Sequence, residues 1–213
     1  GNTPAGTFNN GGPTCTEEYN GTSWSEVNDL PSGRWQIFGA GTSESALAGE
    51  GTATANSGVE YYNGTNWAEA ASLITAVYRS VGIGDGGADD LLVVGGVPQT
   101  SCFQRYDLSG DSWSELADPI NGVSNIGGAG VTDAAIIANY SPTPNAGQCW
   151  NGSSWSAFDS YTINRSGQSG IFGTQNDSIV MGANGNMGNT RCCTEAWDGT
   201  AWSECNAAPT GIA

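Results

Sequence analysis

An aromatic residue, a short polar turn and a tryptophan recur five times along this chain of 213 residues. The five tryptophans that follow the turn are 43, 46, 42 and 47 residues apart. A period of about 45 residues indicates one supersecondary unit stacked repeatedly, because such a unit buries its apolar face only against its neighbours. The predicted structural aromatic pairs are Tyr19 and Trp24, Tyr62 and Trp67, Tyr106 and Trp113, Trp150 and Trp155, and Trp197 and Trp202.

Each repeat is predicted to contain four short β-strands. Asn-Gly or Asp-Gly between aromatic-rich segments is a strong hairpin signal, so Cys15–Tyr19 is predicted to pair with Thr22–Val27 across the two-residue turn Asn20-Gly21, and the other copies likewise. The third copy has a longer turn, Asp107–Asp111, which predicts a bulge or a wider loop. A second, more apolar hairpin lies between successive aromatic pairs, and its glycine-rich first strand is predicted at 34–40, 79–84, 123–129 and 165–172.

Four antiparallel strands per repeat, punctuated by tryptophan and glycine, are typical of a β-propeller blade. The small-residue strand suits the crowded position nearest the axis, and the tryptophan strand suits the periphery. We therefore predict an all-β, single-domain propeller over residues 1–213. An outer hairpin within 1–33 is followed by repeats at about 34–78, 79–120, 121–164 and 165–213.

These four and a half blades predict a five-bladed ring that lacks one pair of inner strands. Three alternatives follow from that count. The chain is a fragment of a longer protein, it closes imperfectly, or it accepts strands from a partner through its open edges.

The repeats resemble two known patterns. A strand ending in Gly-Gly, followed by Glu-x-Tyr and then Trp five residues after the Tyr, resembles the kelch motif, and Glu60–Trp67 with Gly95 and Gly96 shows it. Glu18–Leu30, with the residues that follow it, is similar to repeats of predicted structural proteins of marine bacteriophages. The first resemblance implies a propeller. The second implies a virion or extracellular location, with other copies or neighbouring virion subunits as partners.

Charge and composition exclude several classes of function. The chain has 5 basic residues, all arginine, against 21 acidic residues, and its net charge is -16. Nucleic-acid binding is not expected, since it needs clustered cations, and no stretch is long and apolar enough to span a bilayer. Because the chain has no histidine, no Ser-His-Asp or Cys-His arrangement is possible. We expect no catalytic residues and no cofactor.

Two candidate sites each have a plainer interpretation. Counting outward from the turn Asp198-Gly199 places Cys192 opposite Cys205, which predicts a disulfide in an oxidising setting. Asp85, Asp89 and Asp90 form a carboxylate cluster that could ligate Ca²⁺. Other repeats place ordinary turn residues at the same position, which favours a generic turn.

Three arginines recur near the start of the inner strand: Arg34, Arg79 and Arg165. They could clamp a ligand carboxylate at the axis. The simpler interpretation is pairing with the glutamates that stand two residues after four of the five tryptophans: Glu26, Glu69, Glu115 and Glu204.

The sequence favours a non-enzymatic structural or adhesive module. Its most direct form is a phage virion component, such as a fibre, appendage or capsid decoration, that displays variable loops on a rigid repeat. One alternative is a secreted carbohydrate-binding propeller with a shallow site for neutral glycans on each blade. A second alternative is a glycoside hydrolase that uses axial carboxylates.

Overall fold

The structure is a computed structural model that describes residues 12–34, 36–49, 57–84, 87–98, 101–139, 146–158, 161–162, 170–182 and 193–206. These residues form one two-stranded hairpin and four sheets of four antiparallel strands. Apart from a 3-10 turn at Ala88–Asp90, the regular elements described are all strands. No helix in this part of the chain has the length and apolar character needed to cross a bilayer.

The N-terminal hairpin, here called the half-blade, consists of β1 (Thr16–Tyr19) and β2 (Trp24–Val27). Blade 1 comprises β3 (Phe38–Thr42), β4 (Ser45–Gly49), β5 (Val59–Tyr62) and β6 (Trp67–Ala70). Blade 2 comprises β7 (Val81–Ile83), β8 (Leu91–Val94), β9 (Phe103–Asp107) and β10 (Ser112–Glu115). Blade 3 comprises β11 (Gly127–Val131), β12 (Ala134–Asn139), β13 (Ala146–Trp150) and β14 (Trp155–Phe158). Blade 4 comprises β15 (Gly170–Gly173), β16 (Ser178–Met181), β17 (Thr194–Trp197) and β18 (Trp202–Cys205).

Strand order within each blade follows the chain, and the first strands β3, β7, β11 and β15 contact one another in succession. These glycine-rich strands are therefore nearest the axis, as small side chains permit. The predicted all-β propeller is confirmed, and so is its content of four blades and an additional outer hairpin.

Apolar side chains are buried between blades and not within a single sheet. Leu47 of blade 1 packs with Leu91 and Val93 of blade 2. Ile136 of blade 3 packs in the same way with Val180 of blade 4. Each blade thus completes the core of the one before it, which is the nearest-neighbour logic of a repeat protein.

The paired aromatics of each repeat lie opposite each other on the third and fourth strands. Their ring centroids are 5.0 to 5.5 Å apart in all five copies. In the second position the indole N–H reaches back to the preceding unit. Trp113 Nε1 donates to the Ala71 carbonyl at 2.8 Å, and Trp155 Nε1 donates to the Ala117 carbonyl at 2.9 Å.

Blade 1 uses a side-chain acceptor in place of the carbonyl, since Trp67 Nε1 donates to Thr16 Oγ1 at 3.2 Å. This bond ties blade 1 to the half-blade. The corresponding carbonyl for Trp202 would belong to residue 159, which lies outside the described residues. Trp113 and Trp155 therefore fill the gap between sheets and donate to the backbone of the preceding blade.

The predicted two-residue turns are wrong. Tyr19 pairs with Trp24, and Trp197 pairs with Trp202, so the loops contain four residues. The reason is the side chain that begins each loop: Asn20 Oδ1 accepts the N–H groups of Thr22 and Ser23 at 2.9 and 3.0 Å. This local bonding is an Asx-type turn. The bulge or wider loop predicted for the third copy is also wrong, because Asp107 pairs with Ser112 and the loop again contains four residues.

The inner strands begin later than predicted. β3 starts at Phe38, β7 at Val81 and β11 at Gly127. The residues before them cross from one blade to the next, where a buried polar side chain on the third strand holds their backbone. Gln104 Oε1 accepts the N–H groups of Ile74 and Thr75 at 2.8 and 3.2 Å, and its Nε2 donates to the Thr75 carbonyl.

The same position anchors the crossing segment in every blade. Gln148 accepts from and donates to the backbone of Asn121, and Glu195 accepts the backbone N–H of Thr162 at 2.7 Å. In blade 1, Glu60 accepts from Ser32 Oγ and from Arg34 Nε. All four anchoring side chains are buried. A buried polar group must be hydrogen-bonded, so these residues fix where each crossing segment lies.

Replacing Trp155 with phenylalanine should lower the free energy of unfolding by about 1 to 3 kcal/mol, because it leaves the Ala117 carbonyl without its indole donor and removes buried ring area. The matched control is Trp24→Phe at the same repeat position, where the ring is 67% exposed. That change should cost less than about 0.5 kcal/mol. Urea unfolding measures both. Equal losses in the two variants would contradict the role given to this hydrogen bond.

Candidate functional site

The blades present two different ends. At one end, here called the upper face, emerge the crossing segments and the loops that join second and third strands. At the other end, the lower face, lie the tight turns within each hairpin. This follows from the up-and-down strand order. Loops on a rigid scaffold are the usual location of binding residues, so either face is a candidate location for a site.

A cleft of about 240 Å³ opens on the upper face of blade 2. Its lining includes Thr75, Ser101, Glu115 and Asp118. Thr75 is held in place by the buried Gln104, and its hydroxyl donates to Glu115 Oε1 at 3.4 Å. The cleft therefore presents the hydroxyls of Thr75 and Ser101 and the carboxylates of Glu115 and Asp118. These groups suit hydrogen bonding to a polar, uncharged ligand.

A second cleft of about 430 Å³ lies on the lower face of the same blade. Asp90 and Arg105 dominate it, and Arg105 Nε donates to Asp90 Oδ1 at 2.9 Å. The other oxygen, Asp90 Oδ2, accepts from Thr132 Oγ1 of blade 3 at 2.8 Å. Asp90 therefore serves a contact between blades, and both of its oxygens are in use.

This use bears on the candidate calcium site. Asp89 and Asp90 lie together on the 3-10 turn, whereas Asp85 lies outside the described residues. Within the described ranges, no group of three or more Asp, Glu, His or Cys is placed to hold a metal ion. An Asp90 carboxylate paired with Arg105 favours the generic-turn interpretation. The absence of a cofactor stays a prediction.

The predicted pairing of Cys192 with Cys205 is wrong by two residues. Cys205 lies opposite Thr194 because the hairpin loop has four residues and not two. Cys205 is an exposed free thiol, and Cys192 lies outside the described residues. Three cysteines at one repeat position, Cys15, Cys102 and Cys193, would be small buried hydrophobes on the simplest interpretation, but only Cys102 is buried, while Cys193 is half-buried and Cys15 is exposed. Burial raises the pKa of the Cys149 thiol to about 11, so that group stays protonated near neutral pH.

Arg34 forms an ion pair, as predicted, with a glutamate that the sequence did not single out. Its Nε lies 2.8 Å from Oε2 of Glu60, on the third strand of its own blade. Arg79 donates to Gln36 Oε1 at 3.3 Å and lies over the Tyr78 ring. Arg165 lies outside the described residues. Arg34 is thus a structural cation and not part of an axial clamp.

The axis itself is apolar. The four innermost strands, all within the described residues, contain no Asp or Glu. The hydrolase alternative depends on axial carboxylates, and these strands supply none. Glu115 and Asp118 instead share the upper cleft, on the outer part of blade 2.

The role of the four buried anchoring side chains was not predicted from the sequence. They are Glu60, Gln104, Gln148 and Glu195. A signal for them exists in the sequence, since Glu or Gln stands two residues before the first aromatic of every repeat, including Glu17 of the half-blade. Charged or amide residues at a repeated position inside a strand indicate a repeated internal bond and not a surface.

Asp111 forms a further polar contact between blades. Its Oδ1 accepts the backbone N–H of Ala71 and the hydroxyl of Tyr106, each at 2.7 Å. The Ala71 N–H, and secondarily the Tyr106 hydroxyl, hold the pKa of the Asp111 carboxyl below 3.8. Burial and this same carboxylate raise the pKa of Tyr106. Blade 2 therefore binds both backbone groups of Ala71, through Asp111 and Trp113.

Lowering the pH should weaken this contact. The folded-state pKa of Asp111 is depressed, so its contribution is fully present above the unfolded-state value near 3.8 and is lost as pH falls through the lower folded value. Asp111→Asn should flatten the dependence of the urea midpoint on pH between about 2 and 5. Glu69→Gln, an exposed change on β6, should keep the wild-type dependence. Identical pH profiles for Asp111→Asn and the wild type would refute this account.

Comparison with known proteins agrees with the fold. No family model and no curated protein matches the chain. Among solved structures, 155 chains match this protein. One of them, described as the structure of YjhT, aligns with a TM-score of 0.70 and 12% identity over 88% of this chain and 70% of that chain. A likeness at this identity shows the β-propeller fold alone.

Proposed function

We propose that this protein is a non-enzymatic structural or adhesive module that presents loops on a rigid kelch-like propeller. The observation that carries the proposal is the use of its polar groups. Glu60, Gln104 and Asp111 each hold the backbone or side chain of a neighbouring segment. Polar groups bonded in this way stabilise the scaffold. General acid–base catalysis requires titratable groups that face a substrate, and these groups face the protein instead.

The mechanism is display. Blade-to-blade hydrogen bonds and shared cores keep the scaffold rigid, and the segments that join second and third strands differ most among repeats. These segments are 50–58, 95–102, 140–145 and 182–193, and they are rich in small and polar residues. A net charge of -16 keeps such a body soluble and disfavours contact with anionic surfaces.

The more specific role is a component of a phage virion, in contact with neighbouring subunits or a host surface. Its support is the likeness of Glu18–Leu30 to repeats of predicted phage structural proteins, together with the kelch pattern of Glu60–Trp67. This role makes the location virion-associated or extracellular. Its partners are other subunits and host-surface groups.

Particle purification tests this role. In virus particles banded on a density gradient from the natural source, peptides of this chain should co-migrate with the particles and persist through a high-salt wash. A non-particle protein of the same lysate serves as the control. Mass spectrometry of the fractions measures both. Recovery of the chain only in the soluble fractions would overturn the virion assignment.

A carbohydrate-binding role is the second candidate, and the upper cleft favours it. Thr75, Ser101, Glu115 and Asp118 offer the hydrogen-bonding groups that a neutral glycan uses. If this cleft binds sugar, Glu115→Ala should weaken binding to neutral oligosaccharides at least about tenfold, as expected for the loss of a charge-assisted hydrogen bond. Glu69→Ala, an exposed change outside the cleft, should leave binding unchanged.

Isothermal titration with a neutral oligosaccharide series measures this effect. The same mixtures, assayed for released reducing ends, test the hydrolase alternative. Turnover that Glu115→Gln abolishes would favour an enzyme. Binding without turnover would favour the lectin. Neither binding nor turnover would leave the structural module as the supported role.

A further inference from the structure

Three residues share an unusual backbone conformation where the chain enters the innermost strands. Gln36, Arg79 and Asn125 have φ values of 57°, 62° and 54°. Each stands twelve residues after the tryptophan of its repeat and two residues before β3, β7 or β11. The corresponding segment of blade 4 lies outside the described residues. These three are here called the mouth residues, because the strands that they precede are nearest the axis.

The mouth residues of successive blades bind one another. Arg79 Nε donates to Gln36 Oε1 at 3.3 Å, and the Asn125 N–H donates to the Arg79 carbonyl at 3.2 Å. Each inner strand begins at the upper face, since the crossing segment leads into it. The three residues therefore form an arc at the upper end of the axis.

A positive φ is a conformation for which this sequence normally uses glycine. Eleven of the described glycines adopt it, and it costs an L-residue free energy that glycine does not lose. Asp111 is the one other non-glycine residue with a positive φ in the described part of the chain, and its carboxylate binds the Ala71 N–H. By that precedent, a side chain kept in this conformation serves a contact. For Arg79 and Asn125 the described residues do not complete that contact.

Arg79 is a cation without an ion pair. Its polar contacts are the Gln36 oxygen and the face of the Tyr78 ring, whose centroid lies 5.3 Å from the guanidinium carbon. Among the described residues, Arg34 and Arg105 form ion pairs and Arg79 does not, although the chain has 21 acidic residues. Both terminal nitrogens of this half-buried guanidinium therefore keep unused donors.

The neighbouring strands offer no carboxylate to neutralise Arg79. The four innermost strands, all of them described, contain no Asp or Glu. Gln36 Nε2 and Asn125 Nδ2 are further amide donors, and neither makes a hydrogen bond in this part of the chain. Ile37, next to Gln36, is apolar and exposed. An organic carboxylate fits these properties, because it accepts from a planar guanidinium and carries an apolar body.

We propose that the mouth residues bind a small organic carboxylate at the upper end of the axis. The two oxygens of the ligand accept from the terminal nitrogens of Arg79, and the amides of Gln36 and Asn125 donate to its remaining lone pairs. Inorganic phosphate carries more negative charge near neutral pH, so the field of a body with net charge -16 disfavours it more strongly. The site uses none of the displayed segments, so the inference stands apart from the proposed function.

Nuclear magnetic resonance of the whole chain, labelled with nitrogen-15 in arginine, locates the site. The chain has five arginines, and the Arg79 Nε–H signal is identified by its loss in Arg79→Gln. Benzoate should shift that signal saturably. Benzamide should not shift it, because the amide has nearly the same shape without the charge.

Matched variants measure the contribution of Arg79 by titration calorimetry with benzoate. Arg79→Gln should weaken binding at least about tenfold, as expected for the loss of a charge-assisted pair. Gln36 already adopts this conformation at the same repeat position, so the change should leave the urea midpoint in place. Arg79→Lys keeps the charge without the planar fork and should also bind more weakly than the wild type. Arg105→Gln, on the lower face, should bind as the wild type does.

The inference is overturned if benzoate at millimolar concentration leaves the Arg79 signal in place, or if benzamide binds as tightly as benzoate. Wild-type affinity in Arg79→Gln or in Arg79→Lys would also overturn it. Tighter binding of inorganic phosphate than of benzoate would contradict the assignment of a carboxylate ligand.

Discussion

Burial of an aromatic ring between two sheets, with its N–H satisfied by the neighbouring backbone, is the interaction on which this fold depends. A four-stranded blade of four to six residues per strand cannot enclose a core by itself. A Trp or Tyr contributes a large buried area where blades diverge, but an indole N–H left unbonded would cancel much of that gain. Trp113 and Trp155 resolve the conflict by donating to carbonyls of the preceding blade. Packing and hydrogen bonding then act on the same pair of sheets.

Fold class and blade content could be predicted from the sequence because the aromatic spacing is local and periodic. Register could not. Asn-Gly indicates a tight hairpin by itself, but Asn20 accepts two backbone N–H groups and so lengthens the loop to four residues. The displacement of Cys205 from the position opposite Cys192 to that opposite Thr194 follows from this single difference. A two-residue error in a loop becomes a two-residue error at every pair beyond it.

The polar framework was harder to predict, because its partners are distant in sequence. Arg34 and Glu60 are brought together only when the crossing segment folds over the third strand. Glu26 and Glu69 are nearer to a tryptophan and recur as regularly, which made them the natural choice from sequence. Burial distinguishes them, since Glu60 lies in the core, where a carboxylate must be hydrogen-bonded, whereas Glu26 and Glu69 lie at the surface. The upper cleft follows from the same framework, since Gln104 fixes Thr75.

The acceptor used by the outer tryptophans has a consequence for how such an array can grow. Ala71 and Ala117 contribute their carbonyl oxygens, and every amino acid carries that group. A junction built this way does not demand a matched side chain on the neighbouring unit. Duplication or exchange of one unit would therefore preserve these indole–carbonyl hydrogen bonds, while the displayed segments diverge.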